Sequence, residues 1–349
     1  MKRLLAAACL AAFGCLHAVE VNAPRAAPPV ATTGASAEAA LQAGQARLDA
    51  GDEDGAVNAW REALRGQEDS GLLYALGGLY FRQARLADAE TCYERLARRS
   101  PDLADAWYQL GLVRAARGRY RDAGDAQRLA VAHSPAFGQA YCALALDLRE
   151  SNQTAEGLVA AREALRLLPG YAGAWNLLGN LQQDLGQREE AVRSYRNALS
   201  LQPRYSGAWF NLAQLLERAG RKEDAAQAYG SALQIRPAFA EARLARAELS
   251  LEQGLLASAK EDFVAAVKVA GWEPEGWWGL QRVAKKGGHQ AEAAEDLLRY
   301  REAVRRRDKR LARDAAEGRE QASAYEPGLP LSASAPIVPQ PPSSSVKGH

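Results

Sequence analysis

Prolines stand at positions 101, 135, 169, 203 and 237, an unbroken series of 34-residue steps. A fixed internal period constrains the fold more than length does, because a chain of repeated units grows by stacking and not by enlarging a single core. A second series extends the first. Ala56, Ala89, Ala123, Gly157, Ala191, Ala225, Ala259 and Ala293 follow one another at 34 residues after a single step of 33. Eight copies are expected, in place of the two domains that 349 residues would suggest by length alone.

A third series marks where each copy turns. Gly51, Gly118, Gly186, Gly220, Gly254 and Gly288 fall five residues before the small residue, and Asn152 fills the same slot. Gly and Asn tolerate the left-handed conformation that closes a helix. Ala84 is the exception, and predicts a different turn in the second copy. Acids follow the slot, as in Glu189, Glu190, Glu223 and Asp224, where the positive end of a new helix favours them. Each copy therefore reads helix, turn, helix. Charged residues at 25% and hydrophobic residues at 48% suit a soluble helical chain.

This pattern resembles the tetratricopeptide-repeat family. Counting each copy from one, the family expects a large residue at position 4, Leu at 7, small residues at 8, 20 and 27, an aromatic at 24 and Pro at 32. The copy from Ala172 supplies Trp175, Leu178, Gly179, Ala191, Tyr195, Ala198 and Pro203. The copy from Ser206 supplies Trp209, Leu212, Ala213, Ala225, Tyr229, Ala232 and Pro237. The resemblance covers residues 37–307 as eight repeats. It implies an all-α fold, a right-handed superhelical α-solenoid of antiparallel helix pairs.

The physical basis is independent of the family. Positions 4, 7, 8 and 11 share one face of the first helix, and 20, 24 and 27 share one face of the second. Small residues let the helices approach closely, and a bulky ring fills the groove beside them. By this register Trp107, Trp175, Trp209 and Trp277 are core, as is Trp60 in a second helix. The seventh copy departs, with Arg243 and Arg246 at positions 4 and 7. Either its first helix rotates to bury Leu244 and Leu251, or the arginines reach to the surface. Rotation is the preferred expectation.

The ends differ in kind. Lys2 and Arg3 precede an apolar stretch from Leu4 to Leu16, the layout of a secretory signal over residues 1–18. Export to the periplasm or to the outer membrane is expected. Ala12-Phe13-Gly14-Cys15 resembles a lipobox, which makes Cys15 a candidate lipidation site and a lipid anchor a candidate membrane contact. The alternative is cleavage after Leu16-His17-Ala18, which discards Cys15. Residues 19–36 form an Ala/Pro-rich linker, 308–325 extend the last helix as a cap, and 326–349 are a Pro/Ser-rich tail expected to be disordered. Cys92 and Cys142 lie one and a half repeats apart, too far for a disulfide.

No catalytic constellation, phosphate loop or paired-cysteine metal motif is present in the sequence, so no enzyme activity, cofactor or metal is expected. His133 and His289 are isolated on helices. The stretch Asp49 to Gly55 imitates a calcium loop, but aligning Gly55 with the loop glycine puts Ala50 and Arg61 at ligand positions. The basic run from Arg299 to Arg313 is interrupted by Glu302 and Asp308 and lacks interleaved aromatics beyond Tyr300. It reads as a solvated helix, with anionic lipid or acidic protein as open alternatives and nucleic acid not expected.

What remains is a second stripe on the first helices, at positions 2, 5, 9 and 12, which the resemblance places on a concave surface. Its candidate partner-binding residues are Tyr74, Phe81, Tyr108, Asn176, Asn180, Phe210, Gln214 and Trp278, with Asn211 beside them. Rings supply contact area at low entropic cost, and amides can bond a peptide backbone. The alternative is that rings pack between adjacent first helices, above all Tyr74 and Tyr108. The function expected is a non-catalytic scaffold that binds a protein or peptide partner in an envelope assembly. The alternative is an accessory subunit of a polysaccharide-synthesis or export machine.

Overall fold

A computed structural model describes residues 35–66 and 68–316. Its first eight helices are α1 (Ala35–Asp49), α2 (Glu53–Gly66), α3 (Ser70–Arg82), α4 (Leu86–Arg99), α5 (Ala104–Ala116), α6 (Tyr120–His133), α7 (Gly138–Glu150) and α8 (Thr154–Leu167). The next eight are α9 (Ala172–Asp184), α10 (Arg188–Leu201), α11 (Ser206–Arg218), α12 (Lys222–Ile235), α13 (Ala240–Glu252), α14 (Leu256–Val267), α15 (Glu273–Lys286) and α16 (Gln290–Ala316). There is no strand among the described residues. Odd-numbered helices open a copy and even-numbered helices close it. Each helix packs on its neighbours in sequence, and first helices also meet the first helices of the next copy, as α13 meets α15 and α7 meets α9. The result is an α-solenoid of eight antiparallel pairs.

The same turn joins every pair. The second residue after the first helix takes positive φ, at 73° to 80° for Gly51, Gly118, Gly186, Gly220, Gly254 and Gly288 and at 66° for Asn152. The next amide reaches back five residues to close the helix end, as Arg119 N does to Arg114 O at 3.0 Å and Gln187 N to Gln182 O at 2.8 Å. Ala84 does not make a different turn. It takes φ 57° in the same slot, and Arg85 N bonds Tyr80 O at 2.9 Å. Closing bonds and packing impose the left-handed conformation on a residue with a Cβ, at a cost of about 1–2 kcal/mol. Ala84→Gly is therefore expected to stabilise the chain by about 1 kcal/mol, part of the relief being offset by a looser unfolded chain. Urea denaturation measures this, and unchanged stability would mean that no strain is stored there.

Close approach explains the small residues. Ala56, Ala89, Ala123, Ala191, Ala225 and Ala259 are 0% exposed. At Gly157 a Cβ would lie 3.0 Å from the Ala145 carbonyl oxygen on α7, so α8 approaches backbone to backbone. At Gly179 a Cβ would fall 2.5 Å from the fully buried Tyr195 ring. Rings at position 24 thus seat directly on the small residue at position 8.

The tryptophans correct the register reading. Trp60 is core, 1% exposed, with its Nε1 donating to Leu41 O at 3.3 Å. Trp107, Trp175 and Trp209 are only half-buried. Each donates its indole N–H to the carbonyl of the proline six residues earlier, Pro101, Pro169 and Pro203, at 2.7, 3.0 and 2.9 Å. They clamp one copy to the next, while alanines one position earlier, Ala106, Ala174 and Ala208, fill the interior.

The seventh copy shows that its first helix is not rotated. Arg243 Nε donates to Pro237 O at 2.9 Å, the bond that tryptophan makes elsewhere. Arg246 grips Asp262 in a two-bond fork of 2.7 and 2.8 Å, and Asp262 is 2% exposed. The arginines keep their places because the second helix supplies a buried carboxylate in the same copy. Leu251 is buried and Leu244 half-buried without any rotation.

Helix α16 continues unbroken through residues 308–316. The remainder of the cap, residues 317–325, lies outside the described residues, as do the signal, Cys15, the linker up to residue 34 and the Pro/Ser-rich tail. No described helix is long and apolar enough to cross a membrane.

Candidate functional site

First helices carry the candidate stripe, and the structure divides it into a filled middle and partly open ends. Asn176, Asn180, Asn211 and Phe210 are 0, 3, 1 and 3% exposed. This corrects the expectation that they line an open wall. Asn211 Nδ2 donates to Asn176 Oδ1 at 3.1 Å and to Asn180 Oδ1 at 3.0 Å, and Tyr195 Oη donates to Asn180 Oδ1 at 2.8 Å. The three amides thus tie α9 to α11 and α10 beneath the surface.

Phe210 is held between two other rings. Tyr229 of its own copy lies 5.8 Å away and Phe239, just before α13, lies 4.9 Å away, centroid to centroid. The Arg236 guanidinium covers Phe239 at 3.5 Å. Tyr108 repeats part of the arrangement three copies earlier, with Phe137 at 4.9 Å. Phe137 and Phe239, each just before a new first helix, thus fill the space beside the stripe that an extended partner would need. Helical register alone did not reveal it.

At the ends the stripe is less filled. Tyr74 and Phe81 at one end and Trp278 at the other are half-buried, and Gln214 on α11 is a half-buried exception in the middle. Tyr74 stands edge-on to Tyr93 at 6.0 Å and accepts a bond from Gln109 Nε2 at 3.4 Å. Phe81 lies two helical turns beyond Tyr74 on the same side of α3. Trp278 packs on Tyr300 of α16 at 5.4 Å, and its indole N–H has no partner. The structure therefore does not bring the nine candidates into one continuous surface.

Charged groups that the register reading left aside join neighbouring first helices. Arg149 Nε bonds Asp184 Oδ2 at 2.6 Å, and Arg282 Nη1 bonds both carboxylate oxygens of Glu248 at 2.5 and 2.7 Å. Tyr229 Oη donates to Glu217 at 2.6 Å, and burial pushes that carboxyl up from its ordinary value. A recurrence at positions 9, 12 and 13 of successive copies was the available sequence signal. On the second-helix side, Glu90 receives Arg114 at 3.1 Å and also Arg117 and Arg119. Burial works to raise the Glu90 carboxyl, but the bonds from Arg119, Arg114 and Arg117 outweigh it and hold the group below its ordinary value.

Among the described residues no group of three or more His, Cys, Asp or Glu is placed to hold a metal ion. Cys92 and Cys142 are buried, with no disulfide between them, and burial pushes the Cys92 thiol up to about 11. A thiol so held is a poor nucleophile. The acids of the calcium-loop imitation serve the start of α2, where Asp52 Oδ1 accepts from Gly55 N at 2.9 Å.

Comparison with known proteins agrees with this geometry. The family model described as tetratricopeptide repeat matches residues 41–91, 74–137 and 176–238. The chain belongs to the tetratricopeptide-repeat family. Its fold is similar to that of a tetratricopeptide repeat protein from Parabacteroides merdae, at 18% identity and TM-score 0.59, over 72% of this chain and 99% of that one. It is also similar to PilF of Pseudomonas aeruginosa, at 22% identity and TM-score 0.51, over 58% and 96%. A chain of the APC/C hetero-tetramer Cut9–Hcn1 matches at 16% identity and TM-score 0.55, over 71% and 46%. No curated protein matches the sequence. The tetratricopeptide-repeat architecture is that of a protein-interaction scaffold.

Proposed function

We propose that the chain is a non-catalytic scaffold that holds a peptide or protein segment against its first-helix face within an envelope assembly. The observation that carries this reading is the pair Tyr74 and Phe81, two large rings left half-buried on one side of α3, while the middle of the stripe is closed by the chain's own side chains. Large, partly exposed rings on a rigid helix provide anchor area at low entropic cost. Trp278 offers a second anchor at the far end of the stack. The N-terminal Lys2, Arg3 and apolar run support export.

A photo-crosslinking residue placed in cells at Phe81 or Trp278 is expected to capture one defined protein. The same probe at Val159, 61% exposed on a second helix, is expected to capture none. Equal labelling from all three positions, or none from the first two, removes the first-helix face from consideration. Intact mass of the mature chain tests the setting, with export requiring a start after Ala18 or at a lipid-bearing Cys15. Glycan binding by the purified chain, with no protein partner captured, would transfer the reading to a polysaccharide machine.

A further inference from the structure

Helix α16 outlasts its partner, with 27 residues against 14 in α15. Its second half passes the connection between α14 and α15, where Arg307 Nη1 bonds Glu275 Oε1 at 2.9 Å and a Cβ on Gly271 would lie 3.9 Å from Arg310. The side turned to the solenoid bears buried Asp296 and Ala303 and half-buried Tyr300, Val304 and Arg307. At about 100° per residue, Arg301, Arg305 and Lys309 fall within about 80° of one another on the opposite side. All three are exposed. Leu298, 58% exposed, lies in the same arc.

These cations differ from the others on the helix. Arg299 is bonded to Glu295, and Arg307 to Glu275 with Asp308 at 3.9 Å. Among the described residues no ion pair holds Arg301, Arg305, Arg306 or Lys309, and Glu302 and Asp308 are the anions at the two edges of their arc. Residues 299–313 carry eight Lys and Arg against Glu302 and Asp308, yet the whole chain has Lys+Arg 44 against Asp+Glu 42. Outside this segment acids outnumber bases, so an anionic surface attracts this end and repels the rest.

The geometry points to an anionic membrane surface as the occupant of this face: we infer that α16 docks the C-terminal end of the solenoid on phospholipid carrying net negative charge. The face is convex and its side chains are not fixed by partners, which suits a fluid sheet of charges better than one discrete carboxylate ligand. The cavity of about 150 Å³ lined by Leu256, Leu280, Val283 and His289 lies at the other end of α16 and gives this face no pocket. Leu298 supplies an apolar contact among the cations, the pairing found in helices that lie in a membrane interface. Docking here leaves the first-helix face open, and so stands independently of any partner bound there.

Flotation of the full chain with vesicles tests the inference, using phosphatidylglycerol mixed into phosphatidylcholine against phosphatidylcholine alone. The readout is the difference between the two vesicle types, which cancels any contribution from an N-terminal apolar segment or lipid. The difference is expected to shrink with added salt. It is expected to fall at least about tenfold in the triple variant Arg301→Glu, Arg305→Glu, Lys309→Glu. The corresponding triple change to Gln, which keeps the helix and removes charge without reversing it, is expected to give an intermediate loss with helicity unchanged. Equal binding to both vesicle types, or a difference that both variants preserve, overturns the inference. Retention on a poly-glutamate peptide without flotation overturns it in favour of an acidic protein.

Discussion

Phe210→Ala lowers the stability of the chain by about 3–5 kcal/mol, the cost of emptying a fully packed aromatic site. The ring is 3% exposed and lies between Tyr229 and Phe239, and Phe239 is itself covered by Arg236. Its removal leaves a gap where the sixth copy meets the start of the seventh, and the alanines around it, Ala208 and Ala213 at 0% exposed, cannot swell to fill it. Because a solenoid is held by contacts between neighbours, the loss is concentrated in the sixth copy and its junction with the seventh. Urea denaturation is expected to show a lower midpoint together with a reduced slope, as this region opens before the others. Phe81→Ala, at a half-buried position, is expected to cost less than half as much. A Phe210 variant that keeps its stability and loses only partner capture would restore the ring to the interaction surface and contradict the packing described above.

The period and the turns were legible because they are local. Gly or Asn at a left-handed slot, acids in the following turn and a small residue five places on each have a meaning within one hairpin, and each recurs where expected. Ala84 was misread for the complementary reason: seven other copies fix the path of the chain, and one unsuited residue follows it. Burial of the candidate stripe depended on relations between copies. Phe210 with Phe239, and Tyr108 with Phe137, lie 29 residues apart, and that recurring interval was the signal that could have exposed the plug. Register identified Phe210 as one side of a helix but could not say what stood opposite. Arg243 and Arg246 were misjudged in the same way, since Asp262 lies on the other helix of the copy. Trp175 and Trp209 looked like core by register, whereas their N–H groups require an acceptor and find it at the proline carbonyls.

Asp147→Leu is expected to stabilise the chain by about 2–4 kcal/mol at pH 7, the reverse of the usual effect of a buried substitution. At the same repeat position every other described copy from the second onward has an aliphatic core residue, namely Leu79, Val113, Leu181, Leu215, Leu249 and Val283, all buried. Asp147 is 2% exposed and its Oδ2 has no hydrogen-bond partner. Gly124 on α6 faces it, where a Cβ would lie 3.8 Å from that of Asp147, so a branched side chain has room to settle. Burial, and then the negative charge of Glu150, push the Asp147 carboxyl well above its ordinary value. Its folded-state value is raised, so the penalty is absent below the unfolded value of about 3.9. Above that, the unfolded chain ionises while the folded chain keeps its proton, and stability falls by up to about 1.4 kcal/mol per pH unit until the folded group also ionises. Asp147→Leu removes that slope altogether, and Asp147→Asn removes the slope while retaining a buried polar group. Urea denaturation of the three chains at several values between pH 4.5 and pH 7.5 separates these contributions. Glu90 titrates with the opposite sign, its lowered value making stability fail as acid is added, but it is common to all three chains and cancels in the difference. Parallel pH profiles for wild type and Asp147→Leu would show that Asp147 is ionised and hydrated in the folded protein, and that the seam between α6 and α7 is open to water.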